Sequence, residues 1–234
     1  MATHDYYPQS IELPHFTANV SPVFPLILRF GVLWAAVIVG SYSLITRLRP
    51  AYKLSDQIAF VWMCLSLSLF PMILTAHITD TRLAGFIHLF FEAHFVIYHA
   101  TLAGRQGLFD QLWKEYSLSD SRYLTSDPFL ISMEAVTAFC WGPLAFLIAY
   151  CILVQHPMRH GLQIIVSLGQ VYGDVLYYAT SLLDISYCRP EGYYFWFYYV
   201  FFNFIWLAVG CYYVKQSFTE IWRACEKVQR LKSD

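Results

Sequence analysis

The chain has 234 residues, of which 58% are hydrophobic, 19% aromatic and 13% charged, and its formal net charge at pH 7 is −1. A typical soluble domain carries about 25% charged residues, so the charge deficit and the long apolar runs predict an integral membrane protein. The near-zero net charge gives no indication of a nucleic-acid partner.

The beginning of the chain, residues 1–23, is a polar and aromatic segment interrupted by prolines. We predict no cleavable signal peptide, because the N-terminus is polar and the first apolar run is too long and too late. The six cysteines lie mostly inside apolar runs without metal-ligand spacing, which is typical of packing residues rather than of a disulfide framework.

The apolar runs predict an all-α, polytopic membrane helix bundle in a single domain, residues 1–234, with the bundle over 24–214. A spanning helix needs about 20 apolar residues. Five predicted spans meet this requirement: 24–45, 56–64 joined to 85–99, 129–154, 162–183 and 193–214. The basic loop 47–53, the turn at Arg159 and the amphipathic tail 215–234 are predicted to be cytosolic, with 104–127 and 184–192 lumenal.

The second predicted span is interrupted. Residues 56–64 and 85–99 are each too short to cross a bilayer, but together they make one span. We hypothesise that the intervening segment, Leu65 to Ala84, is a translated, unspliced intron. If 57–77 formed an extra span, the bundle would have six helices and the basic loop 47–53 would become lumenal, against the positive-inside tendency. A real insertion that forms a sixth helix or a cytosolic hairpin is the alternative.

Several polar side chains fall at membrane depth, where ionisable groups are costly and mark functional sites by default. They are His88, Glu92, Glu134, Thr137, Gln170, Asp174, Asn203 and Trp206. His88 and Glu92 are four residues apart and share a helix face. A carboxylic acid in apolar surroundings can hold and donate a proton, and the rings of Trp141 and Trp206 can stabilise a cation without trapping it. This set predicts isomerisation or cyclisation of a lipid-like substrate through a carbocation.

Structural roles are the alternative for each of these residues. His88 with Glu92, Gln170 with Asp174, and Asn203 could hold helices together, Glu134 and Thr137 could share a local bond, and Trp206 could simply pack. A metal site formed by His88, Glu92 and His94 is disfavoured, because the order is not His-Glu-x-x-His and His94 points off the shared face. We therefore predict no metal.

Longer motifs give the chain a resemblance to a known family. They are Gly85-Phe86-Ile87-His88-Leu89 with Glu92, Leu112-Trp113-Lys114-Glu115-Tyr116, Asp120-Ser121-Arg122-Tyr123, Met133-Glu134-Ala135-Val136-Thr137, Trp141-Gly142-Pro143, Gly169-Gln170-Val171-Tyr172-Gly173-Asp174, Tyr194-Phe195-Trp196 and Asn203-Phe204-Ile205-Trp206. With these motifs the chain resembles, over nearly its whole length, the emopamil-binding protein family, the sterol Δ8/Δ7 isomerases. One departure is that the family pattern runs from Trp62-Met63-Cys64 almost directly into Gly85.

The resemblance implies a bundle of five transmembrane helices in the endoplasmic reticulum. It also implies a reaction that protonates the 8,9 double bond of a sterol and removes a proton at C7 without a cofactor. The family's catalytic residues fall on His88, Glu92, Glu134, Thr137, Asn203 and Trp206. By resemblance His88, Glu92 and Glu134 handle protons, while Asn203 and Trp206 stabilise the cation. Further candidates for the substrate pocket are Trp141, Gln170, Asp174, Tyr177 and Trp196.

Two other functions remain open. One is acid-catalysed cyclisation or isomerisation of a terpenoid by a membrane enzyme of the same fold, and the other is a catalytically inactive sterol-binding protein. The presence of every catalytic residue type argues against the latter. The predicted partners are the sterol substrate and membrane lipid, with a homodimer as an open alternative and no nucleic acid.

Overall fold

The computed structural model describes residues 4–67 and 87–233, and within these ranges the regular structure is entirely helical. Seven helices follow one another in this part of the chain: α1 (Val23–Leu48), α2 (Leu54–Leu67), α3 (87–98), α4 (Leu108–Tyr116), α5 (Pro128–Leu153), α6 (Arg159–Leu183) and α7 (Tyr194–Ser233). Short 3₁₀ turns connect them at Leu102–Gly104, Ser121–Leu124 and Ile185–Tyr187. The prediction of an all-α fold is confirmed for these residues.

Three of these helices, α1, α5 and α7, are long and apolar enough to cross a membrane. α6 is also long, with 25 residues, but carries a buried row of polar side chains, and α2 is a shorter apolar helix. The structure therefore supports a helical membrane protein, and the number of five spans stays a prediction. Most of the segment 65–84 and the second half of the alternative span 57–77 lie outside the described residues, which end at 67 and begin again at 87. The intron hypothesis and the extra span therefore both stay hypotheses.

Two clusters of buried side chains occupy opposite ends of the helices. One is rich in aromatic rings and includes Phe95, Trp113, Tyr123, Leu130, Tyr177 and Tyr199. The other is mainly aliphatic and includes Ile45, Ala59, Ala145, Ile148, Val166 and Tyr213. On α5, α6 and α7 alike, the polar residues Glu134, Gln170 and Asn203 lie in sequence between a residue of one cluster and a residue of the other. The polar residues are therefore held between the aromatic and the aliphatic cluster.

The N-terminal segment packs over α4 and fixes the aromatic end. Tyr6 Oη donates to the carbonyl of Lys114, and Lys114 Nζ donates to the carbonyl of Thr17 at 2.8 Å. Lys114 is fully buried, and burial lowers its pKa to about 8 against the opposing influence of Asp110. The predicted polar stretch 104–127 is thus a folded, largely buried layer, since the N-terminal segment covers it.

The C-terminal tail continues the last predicted span as one helix, α7, up to Ser233. Neither glycine nor proline occurs after Gly210, so nothing in the sequence ends the helix at residue 214. Phe218, Trp222 and Leu231 are exposed along it. The tail is helical as predicted, but it extends the span rather than bending away from it.

Candidate active site

A cavity of about 80 Å³ lies among α3, α5, α6 and α7, between the two core clusters. It is lined by His88, Glu92, Tyr123, Met133, Glu134, Thr137, Gly169, Gln170, Gly173, Asp174, Tyr177, Asn203 and Trp206. All six residues to which we assign a catalytic role by resemblance are in this lining. The sequence separation of more than 110 residues between His88 and Asn203 means that only the tertiary fold brings them together.

Three of the four lining helices contain a π-helical stretch at the site: Ile87–Glu92 in α3, Thr137–Trp141 in α5 and Tyr194–Phe201 in α7. Such wide turns are uncommon and occur frequently at functional sites. In α5 the amide of Gly142 donates to the carbonyl of Thr137, five residues back, just before Pro143, which has no amide hydrogen to offer. The local sequence thus explains why this helix leaves α-helical geometry.

His88 and Glu92 form a hydrogen-bonded pair, with 2.7 Å between Nδ1 and Oε2. The other ring nitrogen, Nε2, lies 3.1 Å from the amide nitrogen of Gln170 on α6. An amide N–H can only donate, so Nε2 accepts and the imidazole proton resides on Nδ1, from which it is donated to Glu92. Gln170 therefore connects α6 to the pair and selects the tautomer of His88.

Glu134 is buried on the opposite wall and accepts a hydrogen bond of 2.8 Å from Tyr123 Oη. Burial raises the pKa of Tyr123 well above its usual value, so the phenol keeps its proton and acts as the donor. Thr137 Oγ1 donates to the carbonyl of Met133 at 2.9 Å, which leaves the hydroxyl oxygen as an acceptor. The sequence reasoning did not single out Tyr123 as a site residue, because it lies in the polar stretch before α5.

Asn203 and Trp206 form a third wall. The amide nitrogen of Asn203 donates to Tyr116 Oη at 3.0 Å and to the carbonyl of Tyr199 at 2.6 Å, whereas the contact of its oxygen with Tyr116 Oη is longer, 3.4 Å. Both N–H groups of Asn203 thus donate to the protein, while its carbonyl oxygen, the negative end of the amide dipole, has only the longer contact. The Trp206 ring lies 5.1 Å from the His88 ring, between centroids, and 4.9 Å from the ring of Trp62.

The pocket candidates divide into two groups. Gln170, Asp174 and Tyr177 line the cavity. Trp141 and Trp196 are absent from the lining in the part of the chain that the structure describes: Trp141 packs against the backbone of Gly169, and Trp196 is 66% exposed. The lining residues that sequence reasoning missed are Tyr123, Met133, Gly169 and Gly173.

The alternative of a metal site finds no support in this arrangement. His94 bonds to Asp110 at 2.6 Å, on the side of α4, rather than joining His88 and Glu92. Across residues 4–67 and 87–233, no group of three or more histidine, cysteine, aspartate or glutamate side chains is arranged to hold a metal ion.

The chain is similar in sequence to known proteins over most of its length. Residues 108–217 match the family model described as EXPERA, the expanded EBP superfamily. The chain is 35% identical over 208 residues to the 3-beta-hydroxysteroid-Delta(8),Delta(7)-isomerase of Cavia porcellus, a match that covers 88% of this chain and 83% of the relative. It is 36% identical over 209 residues to the protein of the same name from Rattus norvegicus, with the same coverage. A protoglabretal synthase of Citrus sinensis is 32% identical over 151 residues, 64% of this chain and 72% of that protein.

Proposed function

The chain belongs to the EBP family of sterol isomerases and is itself an isomerase, and from this premise we propose that it moves the Δ8 double bond of a 3β-hydroxysterol to Δ7. The observation that carries the proposal is the composition of the cavity. A hydrogen-bonded histidine–carboxylate pair, His88 and Glu92, faces a second buried carboxyl group, Glu134, with an indole ring beside them.

The reaction needs one group that delivers a proton and one that removes a proton. Transfer of a proton to C9 uses the electrons of the C8=C9 bond to form a C9–H bond and leaves a cation at C8. Loss of a proton from C7 returns the electrons of that C–H bond to form C7=C8. No oxidant, reductant or external group is consumed, because one proton enters and one leaves.

We assign the acid to Glu134 and the base to Glu92. Glu92 receives the Nδ1–H of His88, so its oxygens are arranged as acceptors. Glu134 receives a bond from Tyr123 on Oε1, which leaves the second oxygen to carry the proton that is delivered. The acid and the base are on different helices, α5 and α3, and both line the same cavity.

The cation between the two steps needs stabilisation without a nucleophile. The ring of Trp206 presents an aromatic face, and the amide oxygen of Asn203 has only a long contact with the protein. Both would act most strongly on the charged intermediate, and this differential stabilisation is what lowers the barrier.

A second candidate function is isomerisation or cyclisation of a terpenoid by the same acid chemistry. The observation that favours it is the 32% identity to a protein named protoglabretal synthase. The match to that relative covers a smaller share of this chain than the matches to the sterol isomerases do. The sterol reaction is therefore the first candidate.

We further propose that the chain resides in the endoplasmic reticulum membrane with five spans and one domain. The loop 47–53, the turn at Arg159 and the tail would be cytosolic, and 104–127 and 184–192 lumenal. Glycosylation acceptor sites introduced one at a time into 104–127 and 47–53 test this in microsomes. Modification of the first loop alone is expected, and modification of the second loop alone would reverse the orientation.

The activity is tested by complementation of a cell that lacks its sterol isomerase, followed by sterol profiling. Expression of this chain is expected to convert accumulated Δ8 sterols to Δ7 sterols, and membranes from these cells, given a Δ8 sterol in D₂O, should place one deuterium at C9. A well-expressed protein that leaves the Δ8 sterols unchanged would refute the proposal. Conversion of a terpenoid but not of the sterol by the same membranes would favour the second candidate.

A further inference from the structure

Three buried polar atoms that face the cavity have no hydrogen-bond partner among the described residues. They are Oε1 of Gln170, Oδ2 of Asp174 and Oη of Tyr177. Their positions on α6, separated by four and three residues, place them in one row along one helix face. A buried polar atom without a partner costs about 1–3 kcal/mol, so a row of them inside a binding cavity indicates a ligand group that completes the bonds.

The proton-handling residues differ from this row. His88, Glu92 and Glu134 each have a protein partner within 2.8 Å. The unpartnered atoms therefore do not belong to the hydrogen bonds that orient the acid and the base. Two other unpartnered atoms on α6, those of Gln163 and Ser167, are not in the cavity lining. The result is a polar subsite on the α6 wall, beside the reacting groups.

We propose that Asp174 and Tyr177 bind the 3β-hydroxyl group of the sterol, with Asp174 Oδ2 accepting its hydrogen and Tyr177 Oη donating to its oxygen. A hydroxyl group is one donor and one acceptor, and this pair supplies one of each. The inference rests on the proposed function, and it adds the group of the substrate that fixes its position and direction in the cavity.

The position of the subsite along α6 fits the substrate. Gln170 contacts His88, so it marks the level of the proton chemistry. Asp174 lies four residues further on, about 6 Å along the axis, and Tyr177 about 4.5 Å beyond that. In the sterol, the fused rings likewise separate the hydroxyl-bearing carbon of ring A from the double bond that rings B and C share. Ring A would therefore point to the aromatic end of the bundle, where Tyr177 joins Tyr123 in one cluster.

The proposal makes Asp174 an anchoring residue rather than an acid or a base. A carboxylate could instead act through its charge on Glu92 and Glu134. The two roles are separable, because asparagine at position 174 keeps an acceptor oxygen of the same shape and removes the charge. If Asp174 acts as an anchor, activity tolerates the change to asparagine, and if it acts through its charge, activity does not. In addition, only the anchoring role depends on the hydroxyl group of the substrate.

The experiment measures kcat/KM in lipid nanodiscs for a Δ8 sterol with a 3β-hydroxyl group and for its 3-deoxy counterpart. The wild type is expected to prefer the hydroxylated sterol by about 2- to 10-fold, the range for an ordinary hydrogen bond that an amide oxygen can also accept. Asp174→Leu should lose most of this preference by falling on the hydroxylated sterol alone, Asp174→Asn should retain most of it, and Tyr177→Phe should lose part. Tyr172→Phe is the matched control, since it removes a phenol of the same helix that is 64% exposed.

The outcomes separate the two proposals. Equal losses on both sterols in Asp174→Leu, Asp174→Asn and Tyr177→Phe would overturn the anchor and leave the isomerase activity in place. A wild type that converts both sterols equally well would also overturn the anchor and leave the isomerase activity in place. A wild type that converts neither sterol refutes the proposed function, and the anchor with it. If Asp174→Leu does not fold, the Asp174→Asn and Tyr177→Phe comparison still decides, because an anchor requires a hydroxyl-dependent loss in the latter.

Discussion

Gly169 and Gly173, one turn apart on α6, have opposite surroundings and should respond oppositely to the same substitution. A Cβ atom added at Gly169 would lie 2.7 Å from two carbons of the Trp141 indole, closer than any tolerated contact. A Cβ atom added at Gly173 would have nothing within 4 Å. Four-residue spacing of glycines predicts close helix packing, but only Gly169 is used in this way, whereas Gly173 borders the cavity.

The magnitude of the effect can be derived from these contacts. Overpacking of one methyl group against a rigid neighbour costs about 1–3 kcal/mol. Because 1 kcal/mol shifts Tm by about 2–4 °C in a chain of this size, Gly169→Ala should lower Tm by about 2–12 °C. The gain in helix propensity on replacing glycine by alanine is common to both variants, so the comparison with Gly173→Ala cancels it.

The assay is thermal unfolding of both purified variants in the same nanodisc, together with sterol turnover. Gly173→Ala should not lower Tm, and should raise it to the extent that alanine favours the helix, but it should raise KM, because its methyl group enters the space that the substrate needs. A Tm loss in Gly173→Ala as large as that in Gly169→Ala would refute the reasoning, since it would mean that the open space beside Gly173 is occupied.

Four further predictions concern single residues and the inserted segment. Glu134→Gln and His88→Ala should each abolish turnover while the protein remains folded, and near-normal activity in either variant would remove its assigned role. Trp206→Phe should reduce kcat less than Trp206→Ala, because a smaller ring keeps part of the cation stabilisation; equal losses would assign Trp206 to packing. The free energy of unfolding should rise between pH 8 and 10.5, where the unfolded state binds the proton that folded Lys114 lacks, and the difference between the Tm–pH curves of wild type and Lys114→Met isolates this rise. Finally, transcript sequencing across codons 60–90 should find a message without the segment 65–84, whereas a mature message that retains it, with an inactive insert-free protein, would end the intron hypothesis.

Local spacing in the sequence was sufficient to predict one pair of site residues. His88 and Glu92 are four residues apart, and their 2.7 Å contact depends only on the turn that contains them. The bond between Tyr123 and Glu134 was not predictable in this way, because Tyr123 lies outside the helix in a stretch whose polar composition suggests exposure. It is buried because its ring packs against those of Phe95 on α3, Trp113 on α4 and Tyr177 on α6, and these long-range contacts are not encoded in any local pattern.

The two tryptophans that were predicted in the pocket but lie outside its lining have a common physical explanation. Trp141 is seven residues after Glu134, and Trp196 is seven residues before Asn203, a spacing that places both members of each pair on one face of an α-helix. A π-helical stretch intervenes in both cases, Thr137–Trp141 in α5 and Tyr194–Phe201 in α7. Each residue added to a turn rotates the rest of the helix by about 100° around its axis, so the two faces no longer coincide. His88 and Glu92 are unaffected, since four residues remain within about one turn, and the row Gln170, Asp174 and Tyr177 is kept because α6 is α-helical throughout. The seven-residue spacing therefore misleads in α5 and α7, where a π-helical stretch intervenes, and not in α6.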